Sequence, residues 1–134
     1  MRTRSLLILG FVLLGPFMQA AEPTAPPPET LVGTWTVDLR PTPDAPAYLK
    51  KLIITAVADG KLEGNFYDGS PLQFGRLNRA ATPMLCFAFS TDPGEGAYFT
   101  SGRLVSADRL EGMTLSTTRG FLLPWTAVRE LPSR

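Results

Sequence analysis

Histidine is absent from this chain, and cysteine occurs once, at Cys86. Without histidine there can be no Ser-His-Asp triad, no Cys-His pair and no histidine-ligated metal site. A single cysteine excludes an internal disulfide, a thiolate zinc cluster and a CxxC redox pair. We therefore expect a protein with no metal ion and no cofactor.

An excess of charge of one sign is also lacking. Thirteen basic residues stand against twelve acidic ones, so the formal net charge is only +1, and the two signs are mixed along the chain. Nucleic acid and anionic membrane surfaces attract proteins that carry a strong basic patch. We therefore expect neither as a partner.

The first 20 residues have the pattern of a secretory signal peptide. Arg2 and Arg4 give a positive start, residues 6–18 are largely apolar, and Ala20 and Ala21 supply small residues for cleavage. A membrane-spanning helix needs about 20 apolar residues, so this stretch is too short to be one. We predict a periplasmic or secreted protein with a cleaved signal peptide and no membrane anchor after cleavage.

Proline dominates the segment that follows. Residues 21–30 contain Pro23, Pro26, Pro27 and Pro28 and offer nothing to build a core, so we predict a disordered, proline-rich spacer there. The folded part is then expected over residues 31–130, as one β-barrel domain.

No stretch after residue 30 has a sustained helical period of apolar residues. Short β-rich runs recur instead, each bounded by turn residues and most alternating between apolar and polar positions. The predicted strands are residues 31–39, 49–57, 61–67, 72–78, 83–90, 97–105, 109–116 and 120–130. Most of the connections have hairpin length, which favours an all-β, eight-stranded antiparallel up-and-down barrel; a β-sandwich is the alternative.

The first predicted strand carries the motif Gly33-Thr34-Trp35, which resembles the G-x-W signature shared by lipocalins and avidins, two branches of the calycins. The resemblance implies a closed barrel end capped by Trp35, with a basic side chain from the last strand packed across the indole. Arg129 is similar in position to that basic residue. Gly33, Trp35 and Arg129 are thus the expected structural signature.

The avidin branch is the more similar in detail, over residues 33–39 and the hairpin at 57–67. The resemblance nevertheless argues against biotin. Val37, Pro41 and Phe66 stand where that family has an asparagine, a serine and a tyrosine that hydrogen-bond the ligand. Each lost group would leave a polar atom of biotin unpaired, at about 1–3 kcal/mol.

Two readings of the barrel interior remain open. Large side chains assigned to the inner face (Trp35, Phe66, Phe74, Phe87, Phe89, Phe121 and Trp125) favour a filled core. Inward glycines at 33, 64, 102 and 112 would instead leave room for a ligand. Its candidate contacts are Arg76, Tyr98, Thr100, Thr114 and Ser116. Arg76 either points inward near a rim or extends into solvent as a strand-end arginine.

Carboxylate catalysis is the remaining acid–base chemistry that needs no histidine. The acidic residues of the domain fall in turns or on outward faces, and no two share a predicted inner face, so no glycosidase-like pair is expected. We predict a non-enzymatic exported protein that binds a small, partly apolar molecule in the barrel, with residues 40–48 as a lid. The alternative is a protein-binding module, such as an inhibitor of an envelope or secreted hydrolase, acting through the proline-rich arm.

Overall fold

A computed structural model of the protein describes residues 12, 15–16, 24–81 and 83–132. The predicted signal peptide and its cleavage site lie outside these residues, apart from residues 12, 15 and 16. Within the described residues, no helix is long and apolar enough to cross a membrane. A 3₁₀ helix, Pro28–Leu31, precedes nine strands: β1 (Gly33–Asp38), β2 (Leu49–Ala58), β3 (Lys61–Phe66), β4 (Ser70–Pro71), β5 (Gln73–Asn78), β6 (Cys86–Thr91), β7 (Tyr98–Ser106), β8 (Arg109–Ser116) and β9 (Phe121–Arg129).

The eight longer strands form a closed antiparallel barrel, which confirms the predicted fold class. Each strand pairs with its neighbours in the chain, and β4 is a two-residue strand beside β3. The barrel closes between β1 and β9, where Trp35 lies opposite Arg129 and Asp38 lies opposite Thr126. This seam removes the free sheet edges that a β-sandwich would retain.

The end of the barrel that carries Trp35 and Arg129 is filled, and we call it the closed end. Trp35 and Leu31 are fully buried there, and the indole Nε1 donates to the Leu31 carbonyl at 2.9 Å. The 3₁₀ helix therefore lies against the barrel. Ala25, in the segment predicted as a spacer, is also buried, and its carbonyl accepts a hydrogen bond from Arg79 at 2.8 Å.

In the middle of the barrel, the space left by two inward glycines is occupied by aromatic rings. A Cβ at Gly102 would lie 2.6 Å from the Phe87 ring, and one at Gly112 would lie 2.3 Å from the Trp125 ring. Of the two interpretations of the barrel interior, a core filled by side chains is therefore the one that applies to this part of the barrel.

Strand β5 departs from the predicted alternation. Its pairing with β6 shifts register between Gln73 and Arg76, and Phe74 has a left-handed backbone with φ of 55°. The expectation that Phe74 points inward is wrong, because its side chain is 81% exposed. A bulge of this kind places an extra residue on one strand and changes which side chains face the core.

Candidate functional site

A cavity of about 420 Å³ opens at the other end of the barrel, and we call it the mouth cavity. Its walls come from strands β3 and β6–β9 and from the connections between strands, including the one that follows β1. This volume lies within the range of small-molecule sites. The lining residues are Leu39, Pro41, Tyr48, Phe66, Tyr67, Thr91, Pro93, Tyr98, Thr114, Arg119, Phe121, Leu122 and Leu123.

All three tyrosines of the chain line the mouth cavity. The hydroxyls of Tyr48 and Tyr67 lie 2.5 Å apart, and the rings of Tyr67 and Tyr98 are stacked with centroids 6.4 Å apart. The Phe121 ring continues the row, 6.2 Å from Tyr98. Aromatic rings in such a row provide a flat apolar wall, with hydroxyl groups at its edge.

The backbone at Tyr67 is strained. Its φ of 53° lies in the left-handed region, which bulky residues rarely adopt. Such strain persists where the surroundings over-determine it, and it is frequent at functional sites. The hydrogen bond with Tyr48 is the main cause that raises the pKa of Tyr67 to about 12, and burial adds to it.

Lys50 supports the tyrosines from one side. Its Nζ lies 5.3 Å from the ring centroid of Tyr48 and 4.8 Å from that of Tyr67. The same ammonium donates to both carboxylate oxygens of Asp68, at 3.0 and 2.8 Å. This hydrogen bonding to Asp68 is the main cause that raises the pKa of Lys50. The charge of Lys50 is thus already balanced by the protein.

Arg119 differs from Lys50 in this respect. Its guanidinium carbon lies 5.3 Å from the ring centroid of Phe121, and hydrogen bonding with the Tyr98 hydroxyl is the main cause that raises its pKa. Among the residues that the structure describes, no carboxylate forms an ion pair with Arg119. The mouth cavity therefore has at its edge a cation that forms no ion pair with the described residues, although the charge of Glu95 also acts on it.

The floor of the mouth cavity is the buried side chain of Thr114, which pairs with a second buried hydroxyl. Thr114 and Thr100 are buried, and their Oγ1 atoms lie 2.9 Å apart. Thr114 Oγ1 also accepts a hydrogen bond from Trp125 Nε1 at 3.1 Å. Because Thr114 lines the cavity, this bond connects the cavity floor to a tryptophan of the core.

The structure separates the five predicted contact residues. Tyr98 and Thr114 line the mouth cavity, while Thr100 and Ser116 are buried next to them, paired in register with Thr114 and Tyr98. Arg76 does not point inward; it extends into solvent, the second of the two orientations considered for it. It is exposed on the outside of the barrel, and its Nη1 donates to the neighbouring Gly75 carbonyl at 2.8 Å.

Three site residues escaped the sequence analysis: Tyr48, Tyr67 and Arg119. Tyr48 and Arg119 lie in connections between strands, where alternation makes no assignment. Tyr67 belongs to the predicted strand 61–67, where alternation places it on the face opposite Phe66, but the observed strand ends at Phe66. The strand order does carry a signal, however. In an up-and-down barrel, alternate connections lie at the same end, so the residues flanking β1–β2, β3–β5 and β8–β9 must come together.

At the closed end, the expected contact between Trp35 and Arg129 is present. The Arg129 guanidinium carbon lies 4.1 Å from the centroid of the indole. Gly33 leaves the space that this requires, because a Cβ there would lie 2.7 Å from Arg129 Nη1. The glycine, the tryptophan and the arginine of the signature thus form one packed unit.

No group of three or more Cys, Asp or Glu side chains in the described part of the chain is placed to hold a metal ion. Comparison with protein-family models, curated proteins and solved structures gives no match to this chain. The closed eight-stranded antiparallel barrel is consistent with a calycin-like fold.

Proposed function

We propose that this exported protein, without catalysing a reaction, binds a small, partly apolar molecule in the mouth cavity. One observation carries the proposal: a cavity of about 420 Å³ has a row of aromatic rings along its wall and, at its edge, an arginine with no carboxylate partner among the described residues. An apolar enclosure with a few polar groups is typical of small-molecule sites.

The polar groups indicate the chemistry of the ligand. Arg119 and the Tyr98 hydroxyl lie together at one side of the mouth cavity, and Thr114 lies at its floor. A guanidinium binds carboxylates and carbonyl oxygens well, while stacked tyrosines favour a flat apolar body. We therefore propose a flat ligand that carries a carboxylate or carbonyl group.

A defined probe tests this site directly. We expect 2-naphthoate, a flat ring with a carboxylate, to bind the mature chain in isothermal titration calorimetry. Arg119→Gln should weaken its binding about tenfold, the effect of losing roughly 1.4 kcal/mol of a charge-assisted hydrogen bond. The matched control is Arg109→Gln, because Arg109 is an exposed arginine on β8 that does not line the mouth cavity. An equal loss in both variants would contradict the proposal.

The two tryptophans report where the probe binds. Trp125 donates its indole N–H to Thr114 on the cavity floor, whereas Trp35 lies at the closed end. In a proton–nitrogen correlation spectrum, 2-naphthoate should shift the indole signal of Trp125 and leave that of Trp35 in place. Native mass spectrometry of protein purified from its own source then identifies the natural ligand; a ligand-free barrel there would count strongly against the proposal.

The protein-binding alternative stays a prediction. Its test compares partner recovery by the full mature protein and by a version that starts at Leu31. Equal recovery from both would remove the proline-rich arm from the mechanism.

A further inference from the structure

Large apolar side chains cover part of the barrel's outer surface, on strands β5 and β7–β9. Phe74 is 81% exposed, Leu122 60%, Phe99 48%, Met113 47% and Leu115 42%. The register joins three of them into one row, with Leu115 opposite both Phe99 and Leu122. We call these five residues the outer apolar face. Together they expose roughly 500 Å² of surface, near the upper end for a patch on a monomeric protein.

Phe74 is the most informative member of this face. It holds a left-handed backbone, with φ of 55°, and still leaves its ring almost fully exposed. A bulky residue is unfavourable in this conformation, and asparagine or glycine would adopt it more easily. Packing within the described chain offers little compensation. The position therefore points to a contact for the ring outside the barrel.

The charge on this surface favours a second copy of the same chain. The next row of outward positions is Arg76, Ala88, Ser101, Met113 and Pro124, and among these only Arg76 is charged. Beyond it, Arg103 and Glu111 neutralise each other at 3.2 Å. Identical faces repel when each carries several charges of one sign, and this face does not.

The shape of the face is suited to self-association too. A groove of about 480 Å³ lies on the same surface, bordered by Phe74 and by Phe99, Met113, Leu115 and Leu122. In a two-fold symmetric pair, the surface patch of one copy meets the same patch of the other. The protruding ring and the groove are then both available on each copy. Two such faces bury about 1,000 Å², the area at which specific interfaces begin.

We propose that the outer apolar face is the interface of a homodimer, in which Phe74 of each copy packs into the groove of the other. Leu122 borders both the outer apolar face and the mouth cavity, but Phe74 and Phe99 do not line that cavity. Changes at these two residues therefore test dimerisation separately from ligand binding.

Sedimentation velocity of the mature chain over a range of concentrations tests the proposal. The wild type should sediment as a dimer at about 100 µM, and Phe99→Asp should be monomeric at the same concentration. The matched control is Val105→Asp, because Val105 is 47% exposed on the same strand β7 but lies outside the face. That variant should stay dimeric.

Phe74→Asn provides a variant that is expected to fold. Asparagine tolerates the left-handed backbone better than phenylalanine, so the variant should keep its β-type circular dichroism and lose only dimerisation. A monomeric wild type at about 100 µM would overturn the proposal. So would a dimer that Phe99→Asp and Val105→Asp weaken to the same extent, or a folded Phe74→Asn variant that remains dimeric.

Discussion

At the closed end of the barrel, Arg129 donates hydrogen bonds to backbone carbonyls, whereas at the mouth Arg119 contacts a tyrosine hydroxyl and a phenylalanine ring. The carbonyls that accept from Arg129 are those of Thr30, Val32 and Ala107. They belong to the N-terminal segment and to the β7–β8 turn. One side chain of β9 thus holds two distant parts of the chain together over a buried indole.

Arg119 holds fewer parts of the chain together than Arg129 does. Its side chain interacts with Tyr98 and Phe121, and it borders an open cavity of about 420 Å³. The comparison shows how the same residue type, beside an aromatic ring, can serve two purposes. Where its donors are occupied by backbone carbonyls, we expect it to contribute to stability, and where they face a cavity, we expect it to contribute to binding.

The largest expected effect lies at the closed end. Trp35→Ala removes a fully buried indole from the core, and it should destabilise the protein by about 3–5 kcal/mol. Urea denaturation followed by circular dichroism measures this. Tyr48→Ala is the corresponding change at the mouth, where the side chain is 44% exposed, and it should cost much less. Similar losses in the free energy of unfolding for Trp35→Ala and Tyr48→Ala would contradict the view that the closed end contributes more to stability than the mouth.

Arg129→Ala should have the next largest effect. It removes a guanidinium that hydrogen-bonds three carbonyls and covers Trp35, and we expect a loss of about 2–4 kcal/mol. Arg119→Ala should leave the denaturation midpoint unchanged. The effects of Arg129→Ala and Trp35→Ala should be non-additive, since either change removes their contact. Additive losses, or equal sensitivity at Arg119, would contradict this interpretation.

The sequence was sufficient to predict the packing at the closed end, but only part of the mouth: it pointed to Tyr98 and Thr114 and not to Tyr67 or Arg119. The resemblance to the calycins implies the contact between Trp35 and Arg129, and the contact forms because both residues lie within regular strands that pair in register. Tyr67 and Arg119 follow or precede strands, so their directions depend on turn geometry that alternation does not describe. The inward orientation predicted for Phe74 on β5 is wrong for a different reason. A bulge there interrupts the period of two on which the prediction depends.

A smaller effect is expected at the cavity floor, between the two ends. Thr114→Val keeps the shape of the side chain but removes the acceptor for the Trp125 indole N–H and the hydroxyl partner of Thr100. An unsatisfied buried donor costs about 1–3 kcal/mol, which denaturation can detect. Thr126→Val is the control, because Thr126 is an exposed threonine on β9. A loss no greater than that of the control would show that the floor pair contributes nothing to stability.

The smallest effect concerns the proton of Tyr67 at the mouth. The hydrogen bond with Tyr48 is the main cause that raises the pKa of Tyr67 to about 12, from an ordinary value of 10.0. Because the folded protein then holds this proton more tightly than the unfolded chain, the contribution to stability is complete below pH 10. It is lost as the pH rises from about 10 to about 12.

Tyr48→Phe should therefore lower the pKa of Tyr67 toward its ordinary value, and the highest-pH phase of phenolate absorbance should move to lower pH. Lys50→Met is the matched comparison at the same ring pair, because it removes the nearby ammonium and keeps both hydroxyls. If the hydrogen bond between the tyrosines dominates, Tyr48→Phe should shift that phase more than Lys50→Met does. A larger shift in Lys50→Met would mean that the charge of Lys50, and not the hydrogen bond between the tyrosines, controls the ionisation of Tyr67.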